Sequence, residues 1–179
     1  PSAGARTPGR PPPHGALLVV GPFGEEEKST HRTLVETSRA LAERGVASLR
    51  VDLTGCGDSE GDFERVMVED WLADIAAAFQ SLRDRAPDAL ASALGVRLGA
   101  ALLSRACSRL TGLHALILWQ PVIVGRTEFA SDLRRLMIQE MMTDQTARSS
   151  SKEMLAALER GEGEVYLDGY PVTGRLYGG

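Results

Sequence analysis

Four short apolar runs, alternating with stretches of helical periodicity, constrain this chain more than any other feature of its sequence. Ala16-Leu17-Leu18-Val19-Val20 is continuously apolar and stops at Gly21-Pro22. A run of this length closed by a turn predicts a strand buried on both faces, as in a parallel sheet. Val46 to Leu53, Leu90 to Leu94 and Leu113 to Trp119 repeat the theme, and the last is also expected to be buried, with His114 in the loop before it. Between the first two runs, His31 to Arg44 carries Leu34, Val35, Ser38, Leu41 and Ala42 on one stripe. Ser29 or Thr30 is placed to cap that helix and Gly45 to end it. Val68 to Arg85 follows the second run, with Trp71, Leu72, Ile75, Ala78, Phe79 and Leu82 at helical spacing and Pro87 beyond. A third helix, reaching about Leu110, links the last two runs. Strict alternation joined by right-handed crossovers predicts the α/β class, with a doubly wound, mainly parallel sheet.

The flanking sequence sets the domain organisation. Residues 1–15 are rich in Pro, Gly, Ala and Arg and read as a flexible leader with little to bury. Residues 16–124 form the core and residues 125–163 a helical cap, followed by a return segment over 164–179. Within the cap, Glu128 to Met142 carries Phe129, Leu133, Leu136, Met137 and Met141 on an amphipathic helix. A polar run from Thr143 to Ser151 leads to a shorter helix ending near Arg160, and Val165 to Leu167 meets a Gly/Tyr-rich end. Such a cap would lie over the carboxyl ends of the strands, where open α/β sheets bind ligands.

Composition narrows the functional classes. The 179 residues carry a formal charge of −4 with acids and bases intermixed, which excludes a general nucleic-acid binder and a polybasic membrane patch. No apolar stretch approaches the roughly 18 residues that span a bilayer, and no basic segment precedes an apolar run at the N-terminus. Cys56 and Cys107 form no disulfide framework and sit at no metal-ligand spacing with the three histidines. They read as one turn cysteine and one buried helix cysteine. A cytoplasmic location fits, and no metal or cofactor is expected.

Three turns at strand ends carry the candidate chemistry. Gly21-Pro22-Phe23-Gly24-Glu25-Glu26 follows the first strand. Pro22 has no N–H, so the backbone donor of an oxyanion hole there would come from Phe23 or Gly24. Asp52-Leu53-Thr54-Gly55-Cys56-Gly57-Asp58-Ser59-Glu60-Gly61 has the glycines and side-chain acceptors of a structural loop, and its role reads as scaffolding. Gly95-Val96-Arg97-Leu98-Gly99 has the small flanking residues of a nucleophile elbow, with Leu98 placed as the second oxyanion-hole donor. Its central residue is an arginine, which has no lone pair to attack a carbonyl and forms no acyl intermediate. Two roles stay open. Arg97 can hold an acidic ligand in a fork geometry, with Glu25 nearby as a binding residue, or it can pair with an internal acid such as Asp52 or Glu25.

These blocks resemble the α/β-hydrolase superfamily, in its serine-aminopeptidase or monoglyceride-lipase-like branch. Together with Trp71-Leu72-Ala73-Asp74 and Leu118-Trp119-Gln120-Pro121-Val122, they are most similar to the exosortase A system-associated hydrolases of type 2. The resemblance runs from about Ala16 to Tyr170. It implies a place in bacterial extracellular polysaccharide production, and an arginine in the elbow as a trait of that group. It also implies a serine, a later acid and a histidine beyond the cap in catalytic members, in that order. Here His14, His31 and His114 all precede the cap, and the sheet lacks the usual last strands, so the fold is expected in an apparently truncated form.

The functional expectation is a protein of this fold without serine-hydrolase activity, binding an acidic ligand or partner near Arg97. One alternative is an active esterase or acyltransferase with an unconventional nucleophile, Cys56, Ser59 or Ser92. The other is a non-enzymatic interaction module, with a possible homodimer through an exposed sheet edge. A small-molecule or acyl ligand is compatible with each.

Overall fold

The computed structural model describes residues 11–143 and 151–178, with the backbone alone for residues 139–141 and 143. Most of the leader and the polar run 144–150 therefore lie outside the described residues, as does the side chain of Met141. Four parallel strands occupy the centre: β1 (Gly15–Val20), β2 (Val46–Val51), β3 (Leu90–Val96) and β4 (Ala115–Trp119), in the order β2-β1-β3-β4. This is the doubly wound sheet the alternation predicts. β1 pairs with both β2 and β3, so Val20 lies level with Val51 on one side and Gly95 on the other. The chain turns one way after β1 and the other way after β3, which opens a crevice at their carboxyl ends.

The helices divide as right-handed crossovers demand. Helix α1 (Glu25–Glu43) covers one face, where its Leu34 and Leu41 pack on Leu17, Val19 and Leu94. Helices α2 (Val68–Arg85) and α3 (Leu98–Ala106) cover the other, enclosing Ala16, Leu18 and Val20 with Trp71, Ile75, Phe79 and Leu103. Successive β1 residues thus feed two separate cores, which is why the run had to be apolar throughout. Full burial of side chains such as Leu18 and Leu103 contributes about 2 kcal/mol each.

Two local expectations need correction. Helix α1 starts at Glu25, not near His31, with Gly24 as its N-cap at φ 64°. The Ser29 and Thr30 hydroxyls bond back to the Glu26 carbonyl at 2.9 and 2.8 Å, as interior helix residues do, and cap nothing. Three consecutive acids, Glu25 to Glu27, favour the positive first turn of the helix and extend it towards β1. Strand β4 is not buried: Leu116 packs against the main core, but Ile117 is 48% and Trp119 62% exposed. Its apolar sequence is that of an inner strand, whereas among the described residues it has only β3 as a neighbour.

Beyond β4 come α4 (Gly125–Thr143), α5 (Ser151–Glu159), the antiparallel hairpin of β5 (Glu164–Leu167) and β6 (Tyr170–Thr173), and the short α6 (Gly174–Gly178). Leu133, Leu158 and Val165 form a small core of their own, with Met137 and Met154 against it. Leu167 and Val172 join the main core instead, so the hairpin is fastened directly to the sheet layer. Asp168 and Gly169 both have positive φ, the geometry of a two-residue hairpin turn that matches strand twist.

Candidate ligand site at the switch point

Arg97 stands between β3 and α3 at φ 55° and ψ −115°, a conformation that L-residues adopt only under constraint. The glycines around it explain why the elbow forms. A Cβ on Gly95 would strike the Ala100 backbone, and one on Gly99 would strike the carbonyl oxygens of Val20 and Gly21. Helix α3 therefore begins in direct contact with the end of β1. Across the crevice, Phe23 is held in an aromatic group with Tyr170, Phe63 and Trp71, at centroid distances of 4.8, 5.8 and 6.0 Å. Among the described residues three non-glycine residues have positive φ, and all three lie here: Arg97, Gln120 after β4, and Asp168 in the hairpin turn.

The guanidinium of Arg97 is engaged from two sides. Its Nε donates to Glu26 at 2.9 and 3.2 Å, its Nη2 to Glu128 of α4, and its Nη1 lies 3.5 Å from the Gln120 carbonyl. Burial works against the charge, but hydrogen bonds and attraction from Glu26 and Glu128 outweigh it and raise the arginine's pKa. Its partners are thus neither Asp52 nor Glu25. The Glu25 carboxylate pairs with Lys28 at 3.3 Å, and its N–H donates to Asp168 at 2.9 Å. Nothing local in the sequence marks Glu26 and Glu128 as a pair, since one lies 71 and the other 31 positions from Arg97.

A cavity of about 540 Å³ opens beside this network, beneath α4. Phe23 and Leu98 both line it, with Trp71, Leu102, Phe129 and Tyr177 as apolar wall. Its volume falls in the range of roughly 300–1,000 Å³ that holds small organic ligands. Its charged lining is mixed, with Glu26, Glu128 and Asp132 beside Arg105 and Arg126. The Asp132 carboxyl is raised by burial and by its negative neighbours Glu128, Glu26 and Asp168, against the pull of Arg135.

Residues 11–158 match the serine aminopeptidase (S33) family. The chain belongs to that family, within the α/β-hydrolase superfamily. Among solved structures it is similar to Est1E from Butyrivibrio proteoclasticus, a structure with ferulic acid bound, at 22% identity and a TM-score of 0.64. That match covers 93% of this chain and 60% of the other. A protein of Agrobacterium vitis S4 described as a hydrolase is similar at 19% identity and a TM-score of 0.55, over 91% of this chain and 59% of that one. The chain thus spans about three-fifths of the length of these structures, and the likeness concerns the fold. No curated protein matches it.

Hydrolases of the S33 family are named for a serine, and the elbow position that presents a nucleophile is Arg97 in this chain. The other nucleophile candidates lie apart from it. Cys56 is buried, and burial together with Glu27, Asp52 and Asp74 pushes its thiol up to about 12. Ser59 donates its hydroxyl to the Asp52 carbonyl at 2.6 Å, within the scaffolding loop. That loop is pinned to α2, because the Asp74 carboxylate accepts the Thr54 N–H and the Trp71 indole donates to the Thr54 carbonyl. Ser92 is within β3, level with Leu17. His14 and His114 stand at the amino ends of strands, opposite the site, and His31 is exposed on α1. Cys107, expected to be buried in a helix, is exposed in a 3₁₀ turn after α3.

Proposed function

We propose that this S33-family chain binds a small acyl- or ester-type molecule in the cavity beneath α4 and performs no serine-type hydrolysis on it. The observation that carries this reading is the elbow: its central residue is an arginine whose guanidinium is already held by Glu26 and Glu128. A guanidinium supplies neither a nucleophile nor a base at neutral pH. The cavity supports the binding half of the reading, since an apolar wall and the backbone N–H groups of Phe23 and Leu98 suit an acyl chain ending in a carbonyl. An acidic ligand at Arg97 would have to take the place of Glu26 or Glu128. The resemblance to exosortase-associated hydrolases supports a setting in bacterial polysaccharide production.

The retained elbow conformation favours one competing reading, an active hydrolase with a nucleophile other than a serine at residue 97. Both are tested by incubating the chain with short-chain p-nitrophenyl esters and thioesters, alongside a fluorophosphonate probe. The binding reading expects quenching of tryptophan emission by the ester, no turnover and no labelled residue. Turnover abolished by Arg97→Ala, or label on a single side chain, would sink it in favour of the hydrolase.

A further inference from the structure

We infer that Arg97 is the catch that holds α4 down over the cavity, with Arg135 as a second fastening, and that releasing it opens the cap while the sheet stays folded. This goes beyond the proposed ligand binding and stands with or without a ligand. The two fastenings run in opposite directions. Arg97, on the core, takes the carboxylate of Glu128 on α4, while Arg135, on α4, takes Asp168 of the hairpin at 3.2 Å. Both are anchored on the first turn of α1, where Glu26 holds the other side of Arg97 and the Glu25 N–H holds Asp168. Glu128, Asp132 and Arg135 are spaced to share one face of α4, so these three charges lie in a row along it.

The chain leading into α4 is loosely held, while the helix itself leans on its neighbours through Arg126, which pairs with Glu159 at 3.9 Å and lies over the Tyr177 ring, and through Phe129 on the same ring. Ile123 and Val124, which lead into α4, are 83% and 56% exposed, and Gly125 has open space around it. The main chain adds one tie to the same residue, since the Val122 N–H donates to the Arg97 carbonyl at 3.3 Å. The Arg97 side chain is 25% exposed and those of Glu26 and Glu128 are 50% and 39% exposed, so both pairs are reachable by salt. Phe129 and Leu136 pack against the main core and set where the helix rests. The arginine is the charged tie between that half of the helix and the sheet layer.

Hydrogen–deuterium exchange read by mass spectrometry on the full chain tests this. Arg97→Gln and Glu128→Gln are each expected to speed exchange over residues 125–138 about tenfold, the size of an ordinary coupling between charged neighbours, and to leave β1 and β3 unchanged. The double variant should exchange no faster than the faster single one, because both break the same contact. Molar sodium chloride on the wild-type protein should reproduce the effect, which keeps the test open if Arg97→Gln does not fold. Unchanged cap exchange in Glu128→Gln and in high salt overturns the inference. So does acceleration that is equal in the cap and in β1 and β3, because that would make Arg97 a general stabiliser of the fold.

Discussion

Replacing Gly99 with alanine probes whether the elbow really depends on α3 touching the end of β1. In an unconstrained helix the change would stabilise by about 1 kcal/mol, because alanine is the better helix former. Here the new Cβ meets the carbonyl oxygens of Val20 and Gly21, which belong to the backbone of β1 and its turn and cannot rotate aside. The helix has to lift, and Leu102 and Leu103, which it carries into the main core, lift with it. Overpacking of this kind costs about 3 kcal/mol, so the clash wins and leaves a net loss of about 2 kcal/mol. For a chain of this size that corresponds to a drop in Tm of roughly 4–8 °C. Thermal unfolding followed by circular dichroism, with urea unfolding as a second probe, measures it. Gly125→Ala is the control: nothing lies near its Cβ, and its effect should stay within about 0.5 kcal/mol. A Gly99→Ala protein as stable as the wild type would show that α3 does not rest on β1 through this residue. The account of how the elbow is held would then be wrong.

Two further outcomes follow from the cysteines and from Asp132 in the cavity lining. Iodoacetamide should modify exposed Cys107 in the native protein and leave Cys56 untouched, since the latter is buried and its thiol is held near 12; comparable labelling of both, read by mass spectrometry, would refute this. Asp132 has its carboxyl raised above the ordinary 3.8, so the folded chain holds that proton more tightly than the unfolded one. Its ionisation therefore removes stability as pH rises from the ordinary value through the folded one, and the penalty is fully present at neutral pH. Asp132→Asn should raise Tm at pH 7, with the gain vanishing as pH falls below the carboxylate range. A loss at pH 7 would mean that attraction to Arg135 outweighs burial.

The parallel sheet was legible because a strand covered on both faces must be apolar at every position, and Ala16 to Val20 is. The same reasoning fails for β4, whose apolar residues say what the strand suits and not what lies beside it. The start of α1 was hidden because its cap is a glycine with no side-chain bond, while Ser29 and Thr30 look like caps and are not. Asp168-Gly169 between Val165-Tyr166-Leu167 and Tyr170-Pro171-Val172 does carry a hairpin signal, obscured by the Gly/Tyr-rich run around it. At the candidate site, Phe23, Arg97 and Leu98 stand out in the sequence because turn chemistry is local. The partners of Arg97 could not, because an ion pair between distant segments leaves no periodicity.

The backbone at Arg97 raises a question that its side chain helps to answer. A non-glycine residue in that region costs on the order of 1–3 kcal/mol, and the arginine it presents here is not a nucleophile. Relaxing it would swing residue 97 away from the crevice and break what converges there: its N–H on the Trp119 carbonyl, its carbonyl on the Val122 N–H, and its guanidinium between Glu26 and Glu128. Two hydrogen bonds at about 1 kcal/mol each already match the strain, before the charged pairs are counted. The turn that aims a side chain at the switch point thus has a use independent of attack, because the same aim lets one residue reach α1, the end of β4 and α4 together. Gln120 and Asp168 fit that account, since the two other strained residues are the ones that bring a carbonyl and a carboxylate to the same end of the sheet. Strain at this site is compensated by fastening, and a serine in place of Arg97 would keep the main-chain bonds but lose both carboxylates.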